Sequence, residues 1–148
     1  MPATANPDLA PLVGSWRLLS VGLTFTDTEE RVEPLGSNPD GRMVLEPGGR
    51  IMFLFTKPNR QPPTTDAERT ILFNEMVAYT GLVRSDGLGR FITTVDIAWH
   101  PAWGGEQLRF FTIDGNRLTI RTSEQMFPQF PGRSRVSDVV FVREHPVP

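Results

Sequence analysis

The chain has 148 residues, a formal net charge of -2 and no cysteine, so it is close to one domain in size and can form neither a disulfide nor a thiolate metal site. Its pI of about 5.7 argues against a nucleic-acid partner, which a basic surface would favour. No apolar run approaches the ~20 residues of a membrane-spanning helix, and Met1 to Asp8 has neither the basic nor the apolar region of a signal peptide. The expectation is a cytoplasmic domain that needs no membrane.

Residues 1–10 read as a loose, polar N-terminal arm, and 11–145 as a single barrel domain. The first strand begins at Pro11-Leu12-Val13-Gly14-Ser15-Trp16 and runs to about Thr26. Trp16, Leu18 and Ser20 share one face, and Leu19, Val21 and Leu23 share the other, which predicts a strand covered on both sides near its start. Residues 33–41 form a long loop without periodicity. Two strands follow, Arg42 to Glu46 and Arg50 to Thr56, joined by Pro47-Gly48-Gly49, a hairpin signal. Ile51 to Phe55 is apolar throughout and predicts a central strand. Asp66 to about Met76 is the one convincing helix, with Thr65 or Asp66 as N-cap and a partial apolar stripe suited to a lid. Val77 to Val83 is the next strand.

Phe91 to Ile120 is the centre of the pattern. Two alternating runs flank His100-Pro101-Ala102-Trp103-Gly104-Gly105, and a third follows Asp114-Gly115-Asn116, which predicts a three-strand antiparallel meander. Val136 to Arg143 is the last strand. Eight antiparallel strands in up-and-down order favour closure, because an open sheet leaves two unpaired edges. The predicted fold is an all-β, eight-stranded antiparallel barrel with one short lid helix. Its interior is either filled by side chains or able to hold one small ligand.

The stretch L-V-G-S-W-R-L-L-S at 12–20 is similar to the G-x-W signature of lipocalins and related calycin barrels. P-L-G-S-N-P-D-G, P-G-G-R-I-M, V-A-Y-T-G, H-P-A-W-G-G-E-Q-L-R-F-F and G-N-R-L-T-I follow in order, and together they resemble the bacterial and fungal lipocalin-like domain family over most of 12–143. The resemblance implies a structural pair in which Arg143, on the last strand, packs across Trp16 and closes the narrow end. It also implies a cavity for a small apolar or amphipathic molecule, with no single activity. Many relatives carry a polar residue, often His, where this chain has Thr93-Thr94. The G-x-W-x-G-x-G pattern of haem-binding barrels is absent, and no cofactor is expected.

Candidate chemistry centres on Asp96 and Arg109. A tight turn at 100–105 would set them opposite each other on paired strands. Inside the barrel, Arg109 would grip a carboxylate or enol through its planar guanidinium, and Asp96 would serve as a general base. Outside it, they would form a surface ion pair. Thr94 and His100 share the Asp96 face. Tyr79, the one tyrosine, would point under the lid as a donor to ligand, or else be a core tyrosine whose hydroxyl reaches water or backbone. Phe53, Trp103, Phe111, Phe127 and Phe130 are the aromatic candidates for the ligand-binding wall and rim. With two histidines and no cysteine, no metal site is expected. Three functions remain open: a binder of a small hydrophobic molecule; a cofactor-independent isomerase, cyclase or hydro-lyase acting on a polyketide-like substrate; and a filled barrel that acts through its surface as a homodimer.

Overall fold

A computed structural model describes residues 6–123, 125–126 and 133–146. Eight strands close into an antiparallel up-and-down barrel: β1 (Gly14–Phe25), β3 (Asp40–Leu45), β4 (Arg50–Thr56), β5 (Met76–Ser85), β6 (Arg90–Ala98), β7 (Gly105–Asp114), β8 (Arg117–Thr122) and β10 (Ser134–Arg143). Pairing of β1 with β10, from Trp16↔Arg143 to Phe25↔Arg135, removes the last free edge. Two short strands, β2 (Arg31–Val32) and β9 (Gln125–Met126), pair with the ends of β1 and β10. The helix α1 (Asp66–Asn74) joins β4 to β5. The Thr65 hydroxyl caps it by accepting from the Glu68 amide at 3.1 Å. Among the described residues no helix is long and apolar enough to cross a membrane.

Alternation builds the core. Met43, Leu45, Ile51, Phe53 and Phe55 point inward from the β3–β4 hairpin, which turns through Pro47-Gly48-Gly49 with Gly49 at φ 103°. β4 is not central in the expected sense. Its other face is open, with Met52 and Leu54 each 55% exposed.

Two β-bulges set which side chains reach the interior. In β1, pairing shifts between Leu18 and Ser20, so Leu19 is an extra residue. A bulge reverses the parity of a strand. Trp16 and Leu18 face inward before it, and Val21, Leu23 and Phe25 face inward after it. The two apolar faces read from the sequence are thus one interior face, interrupted once. In β6, pairing with β5 shifts between Thr80 and Gly81, so Asp96 is the extra residue, between Val95 (opposite Gly81) and Ile97 (opposite Thr80). Gly81 is required there. A Cβ at this position would stand 2.3 Å from the Thr94 carbonyl oxygen.

Trp16 plugs the narrow end. It is fully buried, its indole donates to the Leu12 carbonyl at 2.9 Å, and the Arg143 guanidinium lies 4.2 Å from its ring centroid. Arg143 also donates to the Pro11 carbonyl at 2.9 Å, tying the last strand to the segment before β1. In the segment before β1, Leu9 and Leu12 belong to the core, and Ala10–Leu12 forms a 3-10 turn.

Candidate ligand-binding site

At the other end of the barrel, between Trp16 and the α1 side, lies a cavity of about 260 Å³. Val21, Leu23, Phe53, Phe55, Val139 and Phe141 form its apolar wall. The residues after α1, Asn74 to Val77, stand at its margin with Pro34 and Leu35. Tyr79, Trp103, Arg109, Thr122 and Ser137 supply its polar groups. The Thr122 hydroxyl is already engaged, accepting from the Ser137 amide at 2.9 Å.

The aromatic wall is continuous. Phe53 stacks on Tyr79 with centroids 4.7 Å apart, Tyr79 meets Trp103 at 6.0 Å, and Trp103 meets Trp99 at 5.2 Å. Trp99 then donates its indole N–H to the Phe73 carbonyl at 3.1 Å, which fixes the end of α1 over this side of the barrel. The helix itself buries no residue, and Ile71 and Phe73 are exposed, so it rests on the rim by its C-terminal end.

Among the described residues two arginines are buried, Arg109 and Arg135, and of the two Arg109 lines the cavity. It is only 4% exposed and comes inward because β7 pairs Arg109 with Phe91 and with Thr122. Its Nη1 donates to the Leu108 carbonyl at 2.9 Å, and its Nη2 to Gln107 Oε1 at 3.1 Å. Among the described residues no carboxylate lies within ion-pairing distance of it. Arg109 and the Trp103 indole stand beside the Tyr79 hydroxyl. Burial pushes the Tyr79 phenol above its ordinary value, against the opposing pull of the Arg109 charge, so the group is held as a neutral phenol.

The remaining expected site residues are placed elsewhere. Asp96 is exposed on the outer wall and accepts from Arg50 Nη1 at 2.8 and 2.9 Å; it does not meet Arg109. Pairing of β6 with β7 stops at Val95 opposite Gly105, which leaves the nine residues 96–104 between the paired strands in place of a turn at 100–105 and brings Phe91, five positions before Asp96, to Arg109. An odd offset exchanges inside for outside. Thr94 is exposed too, its hydroxyl accepting from Arg84 at 3.3 Å. His100 lies on the rim against Phe73, with ring centroids 5.6 Å apart, and its Nδ1 accepts from the Ala102 amide at 3.1 Å. Phe111 is half-buried beside Phe91 in the core, at 5.8 Å. Phe127 and Phe130 lie outside the described residues.

Sequence reasoning missed several wall residues. Val21 and Leu23 were assigned away from the Trp16 face because the bulge at Leu19 leaves no mark in a lone strand. Pro34 and Leu35 came from an aperiodic loop. Gln107, the acceptor for Arg109, had no signal at all.

The carboxylate among the cavity-lining residues is Glu75, at the margin, 3.5 Å from the Lys57 ammonium. The chamber can therefore hold a small apolar body against aromatic walls and present it with one guanidinium and one neutral phenol. No curated protein matches the sequence. The model of a lipocalin-like domain matches residues 13–143. Its span runs from the residue before β1 to the end of β10, and with the closed barrel and the Trp16–Arg143 end this chain belongs to the lipocalin-like domain family.

Proposed function

We propose that the protein binds a small, mainly apolar molecule in the barrel cavity. The observation that carries this reading is the chamber of about 260 Å³ bounded by Phe53, Phe55, Tyr79, Trp103 and Phe141, with few polar groups converging on it. Ligand sites of this kind are apolar clefts in which a handful of polar atoms fix orientation. The test is native mass spectrometry of the freshly purified protein, then extraction and identification of what it carries. A stoichiometric small molecule supports the reading. A clean apo mass, with no thermal shift across a library of hydrophobic and amphipathic compounds, overturns it and favours action through the surface.

The second reading is a cofactor-independent isomerase, cyclase or hydro-lyase using the same cavity. Its support is the pairing of Arg109 with the neutral Tyr79 phenol, two groups that could stabilise a developing oxyanion. Asp96 has no part in it, and Glu75 is the carboxylate within reach as a base. Turnover lost in Glu75→Gln with binding retained would favour catalysis over storage. A homodimer stays part of the proposal on the outer wall, where Met52, Leu54, Leu82 and Ile97 are exposed among the Arg50–Asp96 and Arg84–Glu106 pairs. Such a patch carries both signs of charge and can face a second copy of itself. A cytoplasmic location completes the reading, supported by a sequence without cysteine.

A further inference from the structure

A guanidinium is rarely left in an apolar interior with only neutral partners. Removing a cation from water is costly unless an anion compensates it. Arg109 is nearly fully buried on the cavity wall, and its two closest acceptors, the Leu108 carbonyl and Gln107 Oε1, are neutral. These two oxygens and the neighbouring Tyr79 hydroxyl engage only part of the five N–H groups that a guanidinium carries. Tyr79, next to it, is a neutral phenol and can donate as well. Both groups line the same chamber as Val21, Leu23, Phe55 and Phe141, so a bound molecule would meet donors and apolar side chains together.

We propose that the ligand is an amphipathic monocarboxylic acid, its carboxylate seated on Arg109 and Tyr79 and its apolar body filling the chamber. This rests on the cavity-binding reading and names the ligand class for it. Arg109 is the one cation among the described cavity-lining residues, and a single planar fork suits a singly charged carboxylate; phosphate groups are usually met by clusters of basic residues. The volume sets the size. At about 30 Å³ per water-sized unit, 260 Å³ holds on the order of nine such units, which corresponds to an acid of roughly ten non-hydrogen atoms.

The test is isothermal titration calorimetry on ligand-stripped protein with matched pairs: octanoate against octanol, and phenylpropanoate against phenylpropanol. In the wild type each acid should bind roughly tenfold to a hundredfold more tightly than its alcohol, the range for charge-assisted hydrogen bonds in a dry site. Arg109→Met should erase that preference, the acid losing about tenfold or more beyond any loss by the alcohol, and Arg109→Lys should restore part of it. On the wild type alone, acid binding should fall as the pH drops through the ligand's own carboxyl range while alcohol binding stays flat. Equal binding of acid and alcohol, or a flat profile for the acid, overturns the carboxylate assignment and leaves the cavity reading standing. Failure of all four compounds to bind the wild type overturns both.

Discussion

Replacing Arg109 by Met should make the ligand-free protein more stable. Arg109 is 4% exposed, so nearly all of its hydration is lost on folding. The effective desolvation penalty of a buried ion is several kcal/mol. Against it stand two charge-assisted bonds, to the Leu108 carbonyl at 2.9 Å and to Gln107 Oε1 at 3.1 Å, each contributing about 1.5–3 kcal/mol. No Coulombic partner among the described residues adds to that side. Exchanging a whole buried ion pair for apolar side chains of similar volume is neutral or stabilises by about 1–4 kcal/mol, and Met in place of Arg109 leaves the Leu108 and Gln107 oxygens without this donor, which lowers the gain. The lower half of that range is expected here, because the two bonds are well formed. Each kcal/mol corresponds to roughly 2–4 °C in Tm for a domain of this size. The assay is urea denaturation of extracted and refolded wild type beside the variant, since a bound ligand would stabilise the wild type by mass action. A variant less stable than wild type by more than about 1 kcal/mol would refute the reasoning: Arg109 would then be a structural strut, and its charge would not be waiting for an anion.

Gly81→Ala should destabilise by about 1–3 kcal/mol in the same assay, because the new Cβ meets the Thr94 carbonyl 2.3 Å away and backbone on both sides must shift. Asp96→Asn should change stability by less than about 1 kcal/mol and leave ligand affinity unaltered, since the Arg50–Asp96 pair is on the outer wall; a loss of ligand binding would contradict the placement of Asp96. Because Tyr79 is the one tyrosine, ultraviolet titration reads it alone, and the phenolate band should emerge only above the ordinary tyrosine value of about 10. The raised group favours folding below that value, and this contribution is lost as the pH climbs towards the folded-state value, so stability should decline on the alkaline side and decline less in Tyr79→Phe.

Most of the fold is legible in the sequence because its signals are local. Pro47-Gly48-Gly49 and Asp114-Gly115-Asn116 mark hairpins, and the runs between such turns alternate at the period of a strand. Closure follows from counting strands. The site is less legible because an inward position depends on register, which is a property of two strands at once. Leu19 and Asp96 look like ordinary strand residues until β10 and β5 are laid beside them, and each then proves to be one residue too many for its partner. The bulge at Leu19 brings Val21 and Leu23 into the cavity, and β6–β7 pairing that ends at Val95 and Gly105 places Arg109 opposite Phe91. Phe53 and Tyr79 reach the cavity from β4 and β5 by simple alternation, and Trp103 reaches it from the loop after β6.

The two ends of the barrel divide the work between them. At the narrow end, Trp16 is sealed by the Leu12 carbonyl, the Arg143 guanidinium and the Pro11 tie. At the wide end, the charge on Arg109 is met by neutral oxygens only, and the helix above rests on the rim without burying a side chain. Local opening is least costly where few apolar contacts are lost, so the proposed binding would exchange ligand at the α1 side, where the helix buries no residue. A structure stabilised at one end and left electrostatically incomplete at the other is what a binding barrel requires. The sealed end holds the strands in register, and that register presents Arg109 to whatever enters.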